Sequence, residues 1–304
     1  MSGSVQANNT PISLDSVGIT EEVIKYTVGE VHTRYLSSFG EWKLPILVQD
    51  LTKFMPIRVH EIRVSDVPKG KIIFGPDGAS ILIPRAFCRV RRRIEAAHEL
   101  AHILLNHYSP VQIQGNRTTS YAESLDVFEE WCEKTGRLML IPEAFLPRLE
   151  NLSTEVSLGY VIIQVARRWG VPVPTAIMRI LDQPMAGEKL RTKQIIVWDV
   201  ENETANSSQC LLKASWHACR IGFIPHQNKV RLGSITYKAA VHMGTDRYVC
   251  GVEEVKIGSL QGIFYVDACP YGIGRYKRVL TVFREPDCCV DPLFKKNTAS
   301  GDTI

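Results

Sequence analysis

His98-Glu99-Leu100-Ala101-His102 constrains this chain more than any other stretch. It lies in a run from Arg85 to Ser109 that contains neither Gly nor Pro, and Pro110 follows as a stop signal. Ile94, Ala97, Leu100, Ala101, Leu104 and Leu105 distribute apolar surface nearly all round the helix that this run predicts. Such a helix belongs in a domain core. Two histidines and a glutamate on a buried helix need partners there. The spacing supplies one. Imidazoles four residues apart stack on one helical face and can reach the same tetrahedral Zn²⁺. Glu99 can touch a water on that metal without being a ligand. Zinc lowers the pKa of such a water to about 7, and a carboxylate can then take its proton. The bland alternative is a core helix that happens to carry two histidines.

A hydrolytic zinc site needs a third protein ligand and a fourth, open position. His107 follows His102 by only five residues and points away from the pair. The next acidic cluster is Glu123, Asp126, Glu129, Glu130 and Glu133. It falls in Tyr121 to Leu140, where Leu125, Phe128, Cys132, Thr135, Gly136 and Met139 form one amphipathic stripe. Glu129 is the carboxylate nearest that stripe. Glu130 and Glu133 are spaced to pair with Lys134 and Arg137 on a solvated face. Glu129 is therefore the expected ligand, with Glu133 as runner-up and a plain surface charge as the bland alternative.

With these residues in place, the chain resembles the ImmA/IrrE metallopeptidases. Arg91-x-Arg93-Ile94 leading to Ala97-His98-Glu99-Leu100-Ala101-His102 is similar to that family's RxRFTLAHELGH segment. Glu129-x-x-Cys132 leading to Leu138-Met139-Leu140-Ile141-Pro142 is similar to its ExxxNxFAxxLLMP segment. The resemblance makes Glu129 the third zinc ligand, 129 − 102 = 27 residues after the second histidine. Ala101, Glu95 and Glu133 stand where the family carries glycine, threonine and asparagine. Glu95 shares a face with His98 and Glu99, from where a carboxylate can orient a histidine.

Upstream, a short helix from Ile46 to Phe54 and strands at Ile57–Val64, Lys71–Phe74 and Ala79–Ile83 are expected. Pro-Lys-Gly and Pro-Asp-Gly turns separate the strands. This resembles the family's small antiparallel sheet beside the active-site helix. Ile24, Val28, Val31 and Tyr35 give Ile19–Ser37 one buried helical face. The fold class is α+β, with a zincin-like peptidase domain.

At 304 residues the chain can hold two or three domains. The expected division is a tail at 1–16, a zinc metallopeptidase domain at 17–145, a helical module at 146–190, a β-rich domain at 191–293 and a tail at 294–304. In the helical module, Leu158–Trp169, a Gly170-Val171-Pro172 turn and Pro174–Leu181 resemble a helix-turn-helix. The second helix opens on Val173, Pro174 and Thr175, not on base-reading polar residues, which favours a structural spacer. Strands are expected at Ile195–Trp198, Val249–Ile257, Gly262–Val266 and Arg278–Phe283. By position this β-rich region resembles the GAF-like sensor domain of IrrE proteins.

The net charge of +4 is small for this length, and the basic run Arg89–Arg93 reads as a solvated helix start. Both argue against direct nucleic-acid binding. Met1–Asp15 is polar and lacks the apolar core of a signal peptide, and no apolar run reaches membrane-spanning length. A cytoplasmic protein with no membrane partner is expected. The eight cysteines form no CxxC pair and are expected as reduced thiols.

The resulting expectation is a zinc endopeptidase. His98, His102 and Glu129 hold the ion (zinc, with manganese as the alternative), and Glu99 is the catalytic base. His107, Tyr108 and Tyr121 are candidates to steady the oxyanion. The resemblance implies a helix-turn-helix repressor as protein substrate, whose cleavage releases stress or mobile-element genes. The rival reading is a non-catalytic, zinc-stabilised regulator that binds DNA or protein.

Overall fold

The computed structural model describes residues 19–63, 69–106, 119–147, 157–183, 186, 190–202, 210–219, 230, 232–241, 248–257, 260–272 and 277–286. The chain divides into two compact units, Met1–Phe145 with Arg168–Pro172, and Leu146–Arg167 with Val173–Ile304.

The first unit opens with α1 (Glu21–Phe39). Thr20 caps it by accepting from the Val23 N–H, and two acids occupy its first turn. Gly40, at φ 71°, ends it by donating its N–H to the Leu36 carbonyl. Ile24, Val28, Val31 and Tyr35 are buried, as their spacing requires. The short α2 (Val48–Leu51) is about one turn long, not the longer helix expected from Ile46 to Phe54.

A three-stranded sheet follows: β1 (Ile57–Ile62), β2 (Lys71–Gly75) and β3 (Gly78–Pro84), in the order β1-β3-β2. β2 and β3 form the antiparallel hairpin that Pro76-Asp77-Gly78 predicts. Gly78 has φ 120°, and a Cβ there would lie 1.9 Å from the Pro56 carbonyl oxygen. No side chain fits that position. The small sheet is nevertheless mixed, because β1 runs parallel to β3. The reason lies in burial. β3 is the most apolar strand and buries Ala79, Ile81 and Ile83, so it takes the centre. β2, with Ile73 and Phe74 exposed, takes an edge. β1 therefore pairs across β3, not with its sequence neighbour.

Two long helices complete this unit, α3 (Arg89–Leu105) and α4 (Thr119–Leu140). α3 buries Ala96, Ala97, Leu100, Ala101 and Leu105. α4 packs close against it at Gly136, where a Cβ would sit 3.2 Å from Ala97 C and His98 N. The start of α3 is tied down by Arg93, a buried guanidinium. Its Nε and Nη2 donate to the Ile46 carbonyl (3.0 and 2.5 Å), and its Nη1 donates to the Trp169 and Gly170 carbonyls (2.7 and 2.6 Å).

The second unit contains α5 (Leu158–Trp169, up to Arg167), α6 (Val173–Leu181), α7 (Ile235–Val241) and five strands. The strands are β4 (Thr192–Asn202), β5 (Cys210–Cys219), β6 (Val249–Ile257), β7 (Leu260–Tyr271) and β8 (Arg278–Arg284). They form one fully antiparallel sheet in the order β5-β4-β8-β7-β6. On one face, Ile196, Trp198, Val266 and Phe283 pack with Ile235 and Ala239 of α7. On the other, the buried Asp267 carboxylate accepts from the Ser157 hydroxyl (2.6 Å) and the Gly159 N–H (2.9 Å), capping α5. The fold is therefore mixed α+β with a β-rich C-terminal part. β5 and α7 have no counterpart among the sequence expectations. Among the described residues, no helix is long and apolar enough to cross a membrane.

Candidate metal centre

α3 presents His98, Glu99 and His102 from two successive turns, and α4 lays Glu129 across the imidazole pair. His98 Nε2 and His102 Nε2 are 3.0 Å apart. Glu129 brackets both, with Oε2 3.1 Å from His98 Nε2 and Oε1 3.3 Å from His102 Nε2. One ligand atom from each of the three residues lies within 4.8 Å of the others. Ligand atoms about 2.0–2.1 Å from a tetrahedral ion stand roughly 3.3 Å apart. The observed triangle is that size, so the donor set fits a small divalent cation. The rings meet edge to face at a centroid distance of 4.6 Å, and Phe128 packs against His102 at 5.3 Å. The imidazoles are largely shielded while Glu129 is half exposed, which leaves one side of the triangle open to solvent.

Electrostatics favours the ligand form of His102. Burial pushes its pKa down, against the raising effect of Glu129, and a neutral imidazole is what a metal requires. Glu99 is held differently. Burial raises its carboxyl above the ordinary value; His98 opposes this, while Glu95 and Glu129 add to it. It lies outside the three-donor cluster. The chain passes close over it at Gly70, where a Cβ would stand 2.7 Å from Glu99 Oε1. A carboxyl that is desolvated, packed against backbone and ready to hold a proton is the form a general acid–base needs.

The structure thus brings together all three residues expected to hold the metal and sets the expected base beside them. Glu133, the runner-up, is exposed and lies 3.9 Å from Arg137. Glu95 pairs with Arg91 at 3.4 Å. His107 and Tyr108 lie outside the described residues, as does the side chain of Tyr121. Cys88, Cys132, Cys250 and Cys269 are free thiols. Sequence reasoning missed Gly70, whose only signal was its place in a turn.

Three metal donors on a helix pair, with a buried carboxyl alongside, describe a metallopeptidase-type centre. Comparison with known families agrees: residues 53–181 match the IrrE N-terminal-like domain of peptidase family M78. This match supports ImmA/IrrE family membership and a metallopeptidase for the part of the chain it covers. No curated protein matches the chain. Eleven solved chains match it, among them a Mycobacterium tuberculosis transcriptional regulator. That protein shares 16% identity over 90% of this chain and 78% of its own, with a TM-score of 0.48.

Proposed function

We propose that this protein is a zinc-dependent endopeptidase that cleaves a helix-turn-helix transcriptional repressor. The observation that carries this reading is the convergence of His98 Nε2, His102 Nε2 and the Glu129 carboxylate beside the buried Glu99. His98, His102 and Glu129 hold the ion. Zinc bound there acts as a Lewis acid that polarises a scissile carbonyl and acidifies water. Glu99 takes the proton of the attacking water on its carboxylate and passes it to the leaving amine. The half-exposed side of the triangle admits the peptide. Cleavage of the repressor would release stress or mobile-element genes, and the C-terminal sheet unit would serve as a GAF-like sensor that governs it.

The test is incubation with the repressor encoded beside the protein. Cleavage that stops with a chelator supports the reading. Glu99→Gln should keep the metal and lower cleavage on the order of 10²–10⁴-fold. Glu129→Ala should weaken metal binding on the order of a hundredfold, because each ligand of a tight zinc site is worth about 3 kcal/mol. Undiminished cleavage by Glu99→Gln would overturn Glu99 as the base, and a metal-loaded wild type that cleaves nothing would leave only a metal-stabilised binding module.

A further inference from the structure

Behind the metal-site helix the first unit contains a second feature. A cavity of about 290 Å³ has Val48, Ile83 and Ala96 among its apolar lining, and Arg89, Arg92 and Arg93 at its polar side. On a helix of 3.6 residues per turn, positions 89, 92, 93 and 96 fall on the side of α3 away from His98 and His102. The cavity is therefore separate from the metal centre.

Its charges are unbalanced. Arg93 is committed to three carbonyls. Arg92 spends Nη1 on the carbonyls of Arg85 and Phe87. Its Nε lies 3.2 Å from Glu61 Oε1, close enough for an ion pair but without hydrogen-bond alignment. Glu61 is also within 3.8 Å of Arg85, so one carboxylate is shared. Arg89 has no partner among the described residues. Arg93 is held down to about 10, first by burial and then by the charge of Arg89. The start of α3 adds to the excess. Its first turn carries no acid, and Cys88 at the N-cap makes no side-chain cap bond. The helix dipole therefore adds its positive end uncompensated at the turn that carries Arg89 and Arg92.

Three guanidinium groups against one carboxylate, around a hollow with an apolar floor, select a particular ligand chemistry. Ligand pockets start at about 300 Å³, so this one holds little more than a ring and one charged group. We propose that the cavity is a binding site for a small organic anion, a ring-sized apolar body bearing a single carboxylate or phosphate. The planar fork of Arg89 takes the anionic oxygens, and the Val48–Ile83–Ala96 floor takes the ring.

Titration calorimetry on the full-length, metal-stripped protein tests this without interference from anions ligating a metal. The probes are phenyl phosphate, benzoate, benzyl alcohol and inorganic phosphate. Phenyl phosphate or benzoate should bind one per chain, and the tighter of the two identifies the head group. Benzyl alcohol and inorganic phosphate should each bind at least about tenfold more weakly, since each lacks one half of the recognition. Arg89→Ala, a change at an exposed position, should weaken the ring-bearing anion about tenfold or more while leaving the circular dichroism unchanged. Ala96→Leu should selectively impair the ring-bearing probes. No saturable binding of either ring-bearing anion overturns the proposal. So does equal affinity for inorganic phosphate, or an affinity unaltered by Arg89→Ala.

Discussion

Replacing Arg93 with Met keeps most of the buried stem and removes every donor. Three carbonyls, those of Ile46, Trp169 and Gly170, then lose their partner in a site that water does not reach freely. A buried acceptor left unsatisfied costs about 1–3 kcal/mol. The variant also escapes the cost of burying a charge, which is several kcal/mol in folded proteins. The losses exceed the relief, and the net destabilisation expected is about 3 kcal/mol. The first unit contains Trp42, Trp131 and Trp169, so urea denaturation followed by tryptophan emission reports on it. With a slope of about 2 kcal/mol per molar, the midpoint should fall by about 1.5 M at unchanged slope. Arg93→Lys should recover only part of the loss. One ammonium cannot serve the Ile46 carbonyl and the Trp169–Gly170 pair together. Arg92→Met removes two carbonyl contacts at a half-exposed position and should cost less than about 1 kcal/mol. A midpoint for Arg93→Met within about 0.3 M of wild type would refute the claim that this side chain anchors α3.

Gly70→Ala should displace the Glu99 carboxyl, because the new methyl group would stand 2.7 Å from its Oε1. Turnover of a cleaved substrate should drop while bound metal, measured by atomic absorption, stays at the wild-type level; equal turnover would show that Glu99 is not held by this contact. In the second unit, burial raises the Asp267 carboxyl, so the folded chain binds this proton more tightly than the unfolded chain. Its stabilising contribution is complete below the ordinary aspartate value of about 3.9 and is lost as pH rises through the folded value. The stability of wild type minus that of Asp267→Asn, from thermal melts, should therefore decrease as pH rises from about 4; a difference that grows with pH would contradict the sign.

Much of the metal centre was readable because it is local. The spacing of His98 and His102 is fixed by helix geometry. Glu129 was chosen among five acids because it lies nearest the apolar stripe of its helix, and the family resemblance points to the same residue. The sheet was harder. Nothing near β1 states that its partner is β3, and the exposed Ile73 and Phe74 make β2 look as apolar as the strand that displaces it from the centre. β5 carried an overlooked alternation, with Leu212 and Ala214 buried and Lys213 and Ser215 exposed; the small alanine diluted it. α7 is only seven residues long and gains its identity from the sheet face it covers. Gly70 reads as a turn residue, and its approach to Glu99 exists only once the chain has folded.

Gly136 sets a dimension that no ligand residue controls. With a single hydrogen in place of a side chain, it lets α4 settle against the backbone of Ala97 and His98, at a separation where even a methyl group would be tight. The bite between the Glu129 carboxylate and the two imidazoles inherits that spacing. Bulk at this one position would push the helices apart by tenths of an ångström, and the donor triangle would then be too wide for the bonds of about 2.0–2.1 Å that zinc makes to nitrogen and oxygen.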